Sequence, residues 1–299
     1  MKFSKIILLI LLFFYGCKTP ILLSERVTKK DREYIKRTNE LIKNQKYDET
    51  IETLDSALKY DPFYCTFHAY KGYTFLLQKK FTYGLVEYNT YLQHHPNDYN
   101  AYVNRGIIKA ELKDTAGAIK DYSKALSIKS QDYMIYVRRG YLEMNQGHFE
   151  FAFCDFNNAI KLCSKCECWN CCYAFNLRGM LFLKMNDTSS AISDFNFSID
   201  RYKYFFLAHI NLAKTLINQN KKEEAFEKFE KTLKEFKEEG DKSISNYNYF
   251  TINWGKYLAE NEYKKEALPY LKYSLEKKLY DSLLTESELR ELIKKCESE

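Results

Sequence analysis

Three columns of residues recur along this 299-residue chain with the same steps. Gly72, Gly106 and Gly140 stand 34 residues apart; Gly179 follows after 39, Ala213 after 34 and Gly255 after 42, and Thr38 precedes Gly72 by 34. A second column reads Ala57, Tyr91, Ala125, Ala159, Ser198, Thr232 and Ser274, and a bulky one reads Leu54, Tyr88, Tyr122, Phe156, Phe195, Phe229 and Leu271. All three share the irregular steps, as a repeated unit with occasional insertions requires. Within a unit the apolar residues fall into two helical stretches. Tyr102, Ile107, Ile108 and Leu112 mark a first helix, and Ala118, Ile119, Tyr122, Ala125 and Leu126 a second, whose spacings of three and four put it on one helix face. Small residues let the paired helices approach, and the bulky column fills the space beside them.

Composition narrows the alternatives. Only 10 Gly and 4 Pro leave little material for the turns of a sandwich or barrel. The 26 Tyr and 21 Phe argue against disorder. No two glycines lie closer than seven residues, which excludes the glycine-rich phosphate cradles. The five histidines form neither H-x-x-x-H nor H-E-x-x-H. The reading is of a non-enzyme with no small-molecule substrate.

The motif N-R-G-x-x-x-x-x-L-K-D-T-x-x-A-I-x-D-Y-x-x-A-L at Asn104–Leu126 recurs as R-R-G…G-H-F-x-x-A-F-x-D-F-x-x-A-I at Arg138–Ile160, with Pro62 and Pro96 closing earlier units. These units resemble tetratricopeptide repeats. The resemblance spans residues 31–275 in seven units and implies an all-α, right-handed solenoid of about seven helix pairs. Pro269 is expected near the start of its helix, where a missing N–H is tolerable only within the first turn, and Lys237–Tyr247 reads as a loop. Thr285-Glu286-Ser287-Glu288 offers a capping box for a last helix, so residues 276–299 read as a C-terminal helical cap.

A charge pattern runs through the units. Arg105 is followed sixteen residues later by Asp121, Arg139 by Asp155, Arg178 by Asp194, and Lys71 by Glu87. With one member on each helix, these read as structural ion pairs, since Arg meets carboxylate bidentately at packed interfaces.

Six cysteines crowd the junction where the step stretches to 39: Cys154, Cys163, Cys166, Cys168, Cys171 and Cys172. Residues 163–172 read as an insertion projecting from the stack. At least two disulfides stapling it are expected, with Cys171 and Cys172 bonding elsewhere than to each other. Zinc held by the two C-x-x-C pairs, or free and redox-active thiols, remain alternatives. No other cofactor is indicated.

At the N-terminus Lys2 and Lys5 precede an apolar run from Ile6 to Tyr15, then Gly16 and Cys17. Ten residues of helix cover only about 15 Å, half a bilayer core, which favours a signal peptide over a spanning helix. Gly16-Cys17 resembles the bacterial lipoprotein signal, although Phe14 and Tyr15 depart from its usual residues. The resemblance implies removal of residues 1–16, lipidation of Cys17 and a tether over 17–30. Location would then be the bacterial envelope, facing the periplasm or exterior. Cleavage takes away two Lys and no acid, lowering the formal +6 to +4, too mixed a charge to indicate nucleic acid.

In the resembled family the first helices line an inner groove. The corresponding candidates for a peptide are Asn39, Tyr73, Ile107, Tyr141, Met180 and Lys214, with Asn104, Arg138 and Asn176 one turn away. Aromatic and Met side chains supply contact area and Asn amides bond backbone. Half of these residues could equally be packing between adjacent first helices. The expected role is a non-catalytic scaffold lipoprotein binding a protein or extended peptide. Assistance to outer-membrane protein assembly, or metal or redox chemistry at the cysteines, are the alternatives.

Overall fold

The computed structural model describes residues 27–62, 64–163, 169–240, 244–279 and 284–298. Among them every regular element is a helix, and the fold is an α-solenoid of helix pairs. It divides into two compact units at the boundary between Leu162 and Cys163. The first holds α1 (Lys29–Lys43), α2 (Tyr47–Tyr60), α3 (Thr66–Leu77), α4 (Phe81–His94), α5 (Tyr99–Glu111), α6 (Thr115–Ile128), α7 (Tyr133–Asn145) and α8 (Phe149–Cys163), the last ending one residue past the boundary. The second holds α9 (Trp169–Lys184), α10 (Thr188–Arg201), α11 (Phe206–Asn218), α12 (Lys222–Glu238), α13 (Ile244–Glu260), α14 (Lys264–Glu276) and α15 (Glu286–Glu297). The presumed signal and tether, residues 1–26, lie outside the described residues.

The small column sets the distance between paired helices. A Cβ on Gly106 would lie 2.7 Å from the Tyr122 ring, and one on Gly179 2.6 Å from the Phe195 ring. Gly72 and Gly140 meet Tyr88 and Phe156 in the same way at 3.0 and 2.9 Å. Those four rings are buried, so each aromatic fills the space where a side chain would otherwise stand. Asp98, Asp114, Asp132 and Asp187 accept backbone N–H bonds as N-caps, which fixes where α5, α6, α7 and α10 begin.

The turn inside each pair holds a column that the sequence hides. Gln45, Lys79, Lys113, Gly147, Asn186, Asn220 and Glu262 all have positive φ, between 57° and 81°. They keep the steps of the repeat, yet only Gly147, Asn186 and Asn220 carry residues suited to that conformation.

Three expectations about the second unit change. Lys237–Tyr247 is not one loop: Phe229, Leu233 and Phe236 continue the apolar spacing, and buried Phe236 packs on Phe250, so α12 runs to Glu238 and α13 starts at Ile244. Pro269 sits inside α14, past its first turn, where it removes the N–H that would bond Lys265. The insertion at 163–172 does not project at its two ends, because Cys163, Cys171 and Cys172 are buried. Cys163 closes α8 and the other two lie in the first turn of α9. Trp254 stacks on Phe229 at 4.1 Å and anchors this unit's core. Thr285 and Glu288 form the capping box of α15, which buries Leu289, Ile293 and Cys296 beside α14.

Candidate functional site

The ion pairs have the geometry their spacing implies. Arg105 donates from Nε and Nη2 to both oxygens of Asp121 at 2.8 Å, and Lys109 adds a third contact at 2.9 Å. Arg139 holds Asp155 at 2.8 and 2.7 Å, and in the second unit Arg178 holds Asp194 at 2.7 and 2.8 Å. The three carboxylates are buried. Burial pushes the Asp155 carboxyl up, against the pull of Arg139; for Arg139 that hydrogen bond dominates and raises the guanidinium.

In the first unit each cation also reaches back to the preceding pair. Lys71 bonds Asp55 at 2.7 Å and Glu87 at 3.2 Å, Arg105 donates to Asn89 at 2.9 Å, and Arg139 donates to Ser123 at 2.9 Å. Burial works against the Lys71 charge, but Asp55 and Glu87 carry its ammonium above the ordinary lysine range. His68 Nδ1 lies 2.6 Å from the other Glu87 oxygen. The ladder therefore ties pair to pair as well as helix to helix. It is a framework in which arginine holds both oxygens of Asp121, Asp155 and Asp194.

The groove candidates divide. Asn104 donates to the Tyr88 hydroxyl at 2.8 Å, and Arg138 bonds the Tyr122 hydroxyl, whose pKa burial pushes up to about 12 against the guanidinium's pull. Both bind the bulky column of the preceding pair, a role the sequence reading missed. Asn176 is buried: it accepts from Asn211 at 2.9 Å, and its amide lies 3.9 Å from the Met180 sulfur. Its register explains why: the 39-residue step places Leu177, not Asn176, in line with Asn104 and Arg138. Asn176 instead continues the core column of Ile35, Ala69, Val103 and Val137. Tyr73 is nearly buried and Ile107 packs beside Tyr122, whereas Tyr141 is 42% exposed. Asn39 and Met180 are half-buried; Lys214 is exposed, with its ammonium 5.0 Å from the Tyr257 ring centre.

Tyr73 and Asn104 line a cleft of the first unit, about 320 Å³ with its open mouth, between α3, α4 and α5. Tyr70, Tyr88, Tyr91, Asp98, Asn100, Ala69 and Ala101 complete it. The small side chains of Ala69 and Ala101 leave the space. Tyr91 donates to Asp98 Oδ2 at 2.8 Å while Asp98 Oδ1 caps Ala101. Burial, then the Asp98 charge, raise the Tyr91 phenol far above its usual range. The Tyr70 hydroxyl is buried with no hydrogen bond of normal geometry. The partner its column predicts, sixteen residues back, is Leu54 rather than a tyrosine. Burial raises its pKa, with the Asn39 amide opposing.

Of the cysteine cluster, Cys163 and Cys171 form a disulfide with Cα atoms 5.5 Å apart. Cys154 is an exposed free thiol and Cys172 a buried one, its pKa raised by burial. Cys166, Cys168 and Cys17 lie outside the described residues. Among the described residues no group of three or more His, Cys, Asp or Glu side chains could hold a metal. No described helix is long and apolar enough to cross a membrane.

Residues 99–132, spanning α5 and α6, match the tetratricopeptide repeat family. Solved structures share the fold. A tetratricopeptide repeat protein from Parabacteroides merdae is 19% identical, with 89% of this chain and 98% of that chain covered at a TM-score of 0.64. The C-terminal part of a TPR repeat-containing protein from Cytophaga hutchinsonii is 18% identical, with 79% and 92% covered and a TM-score of 0.60. YrrB, described as a TPR protein with an unusual peptide-binding site, is 16% identical over 58% of this chain and 88% of its own, at a TM-score of 0.53. No curated protein sequence matches the chain.

Proposed function

We propose that this chain is a lipid-tethered, non-catalytic scaffold of the bacterial envelope that binds a protein segment along the first-helix face of its first unit. The observation carrying the reading is the cleft between α3, α4 and α5, lined by half-buried Asn104, with exposed Tyr141 on the first-helix face at α7. Aromatic area with a few amides suits an extended peptide. The likeness to YrrB, a protein with a peptide-binding site, supports the class of ligand. Export is supported by Lys2 through Cys17 and by the Cys163–Cys171 disulfide, which suits an oxidising compartment. Lipidation at Cys17 is tested by metabolic labelling with a palmitate analogue in a competent host. Label in the native chain and none in Cys17→Ala is expected; mature protein with an unmodified Cys17 overturns the tether.

A further inference from the structure

The cleft of the first unit has a chemistry narrower than peptide binding in general. The space within it open to a water-sized group measures about 20 Å³, room for one group the size of a water or an ammonium. The rings of Tyr70, Tyr73, Tyr88 and Tyr91 wall it, and Asp98 is the one charged residue lining it. No Lys, Arg or His is among those lining residues. Two donors face inward groups: Tyr91 gives its proton to Asp98, and Asn104 gives an amide hydrogen to Tyr88. Oxygens remain, in the Asp98 carboxylate, the Asn104 carbonyl and the buried Tyr70 hydroxyl. Aromatic faces carry negative potential and attract cations. A carboxylate would meet the like charge of Asp98 and no cation. A guanidinium is broader than that space, whereas an ammonium offers three donors in a compact head.

We infer that this cleft receives the ammonium of a lysine side chain carried by the partner segment, an inference resting on the first-helix face being the docking surface. The tyrosine rings stack around the charge, and Asp98, held by its bonds to Tyr91 and Ala101, supplies the counter-charge. Lysine acetylation of the partner would then weaken recognition, because it removes the charge and enlarges the head.

The test is NMR of the full chain, labelled with ¹³C in its tyrosine rings, with Tyr73 assigned by a Tyr73→Phe variant. The probe is acetyl-Gly-Gly-Lys-Gly-Gly-amide, compared with the same peptide carrying Nε-acetyl-lysine or norleucine. The expected result is a saturable shift of the Tyr73 ring with the lysine peptide and affinity weaker by about tenfold or more for the other two. Asp98→Asn keeps an N-cap for α5, so it should fold and lose a similar factor. Equal response to all three peptides, no response at millimolar concentration, or undiminished binding by Asp98→Asn overturns the inference. Partner capture at the first-helix face without lysine dependence also overturns it and leaves the scaffold reading standing. A lysine-specific response with no partner at that face supports the cleft chemistry and removes the docking reading.

Discussion

Replacing Asp121 by Ala tests whether the ion-pair ladder holds the first unit together. Asp121 is 2% exposed and accepts from Arg105 at 2.8 Å twice and from Lys109 at 2.9 Å. Both cations are themselves largely covered, with 17% and 16% of their side chains exposed. Deletion of the carboxylate strands two positive charges in a poorly solvated seam. Breaking a buried pair on one side costs about 3–5 kcal/mol, and the residual access of Arg105 and Lys109 to water puts the expectation near the lower end. For a domain of this size each kcal/mol lowers Tm by about 2–4 °C, so the loss should be about 6–12 °C. Glu111→Ala, at an exposed position, is the control and should change stability by less than about 0.5 kcal/mol. The double variant Arg105→Met/Asp121→Leu should recover part of the loss, since apolar replacement of a buried pair is often near neutral. Thermal unfolding followed by circular dichroism reads all of them. Equal melting temperatures for Asp121→Ala and Glu111→Ala would refute the reasoning.

Three further outcomes follow from named contacts. Gly179→Ala puts a methyl 2.6 Å from the buried Phe195 ring; overpacking should cost about 1–3 kcal/mol by urea unfolding, and an unchanged midpoint contradicts the paired columns. His209, pressed among Phe229 and Phe250, has its pKa lowered by burial to about 4. Its folded pKa lies below the unfolded 6.5, so its contribution is present above pH 6.5 and is lost as pH falls through 4. About 3 kcal/mol disappears across that window, and His209→Gln should flatten this part of the stability–pH curve. Reducing Cys163–Cys171, which closes a loop between residues eight apart, should cost about 2.5 kcal/mol with most helix content retained; a protein equally stable in reductant speaks against the bridge.

Much of the fold was legible because packing repeats where chemistry repeats. Glycine facing a ring, and Arg facing Asp sixteen residues on, are each one chemical choice used several times, so the columns stand out in the sequence. The left-handed turn column was hidden for the opposite reason: its backbone conformation recurs while its residues vary from Gln to Lys, Asn and Glu. The backward arm of the ladder was missed likewise, because Asp55, Asn89 and Ser123 share a position and a role as acceptor without sharing a side chain. Asn176 was placed on the groove because the stretched step shifts the register by one residue where a single polar side chain interrupts an apolar column. The cleft depends on what Ala69 and Ala101 leave empty, and vacant space between three helices leaves no periodic mark in a sequence.

The central claim, that a protein segment docks on the first-helix face of the first unit, is tested most directly by site-specific photocrosslinking in intact cells of a host carrying the partner. A photoreactive residue at exposed Tyr141 on α7 is compared with one at Phe151 on α8, which is 67% exposed and lies on a second helix. The account predicts a discrete adduct from position 141, absent from position 151 and present only in the membrane fraction. An adduct from position 151 alone, or none from either, would contradict it.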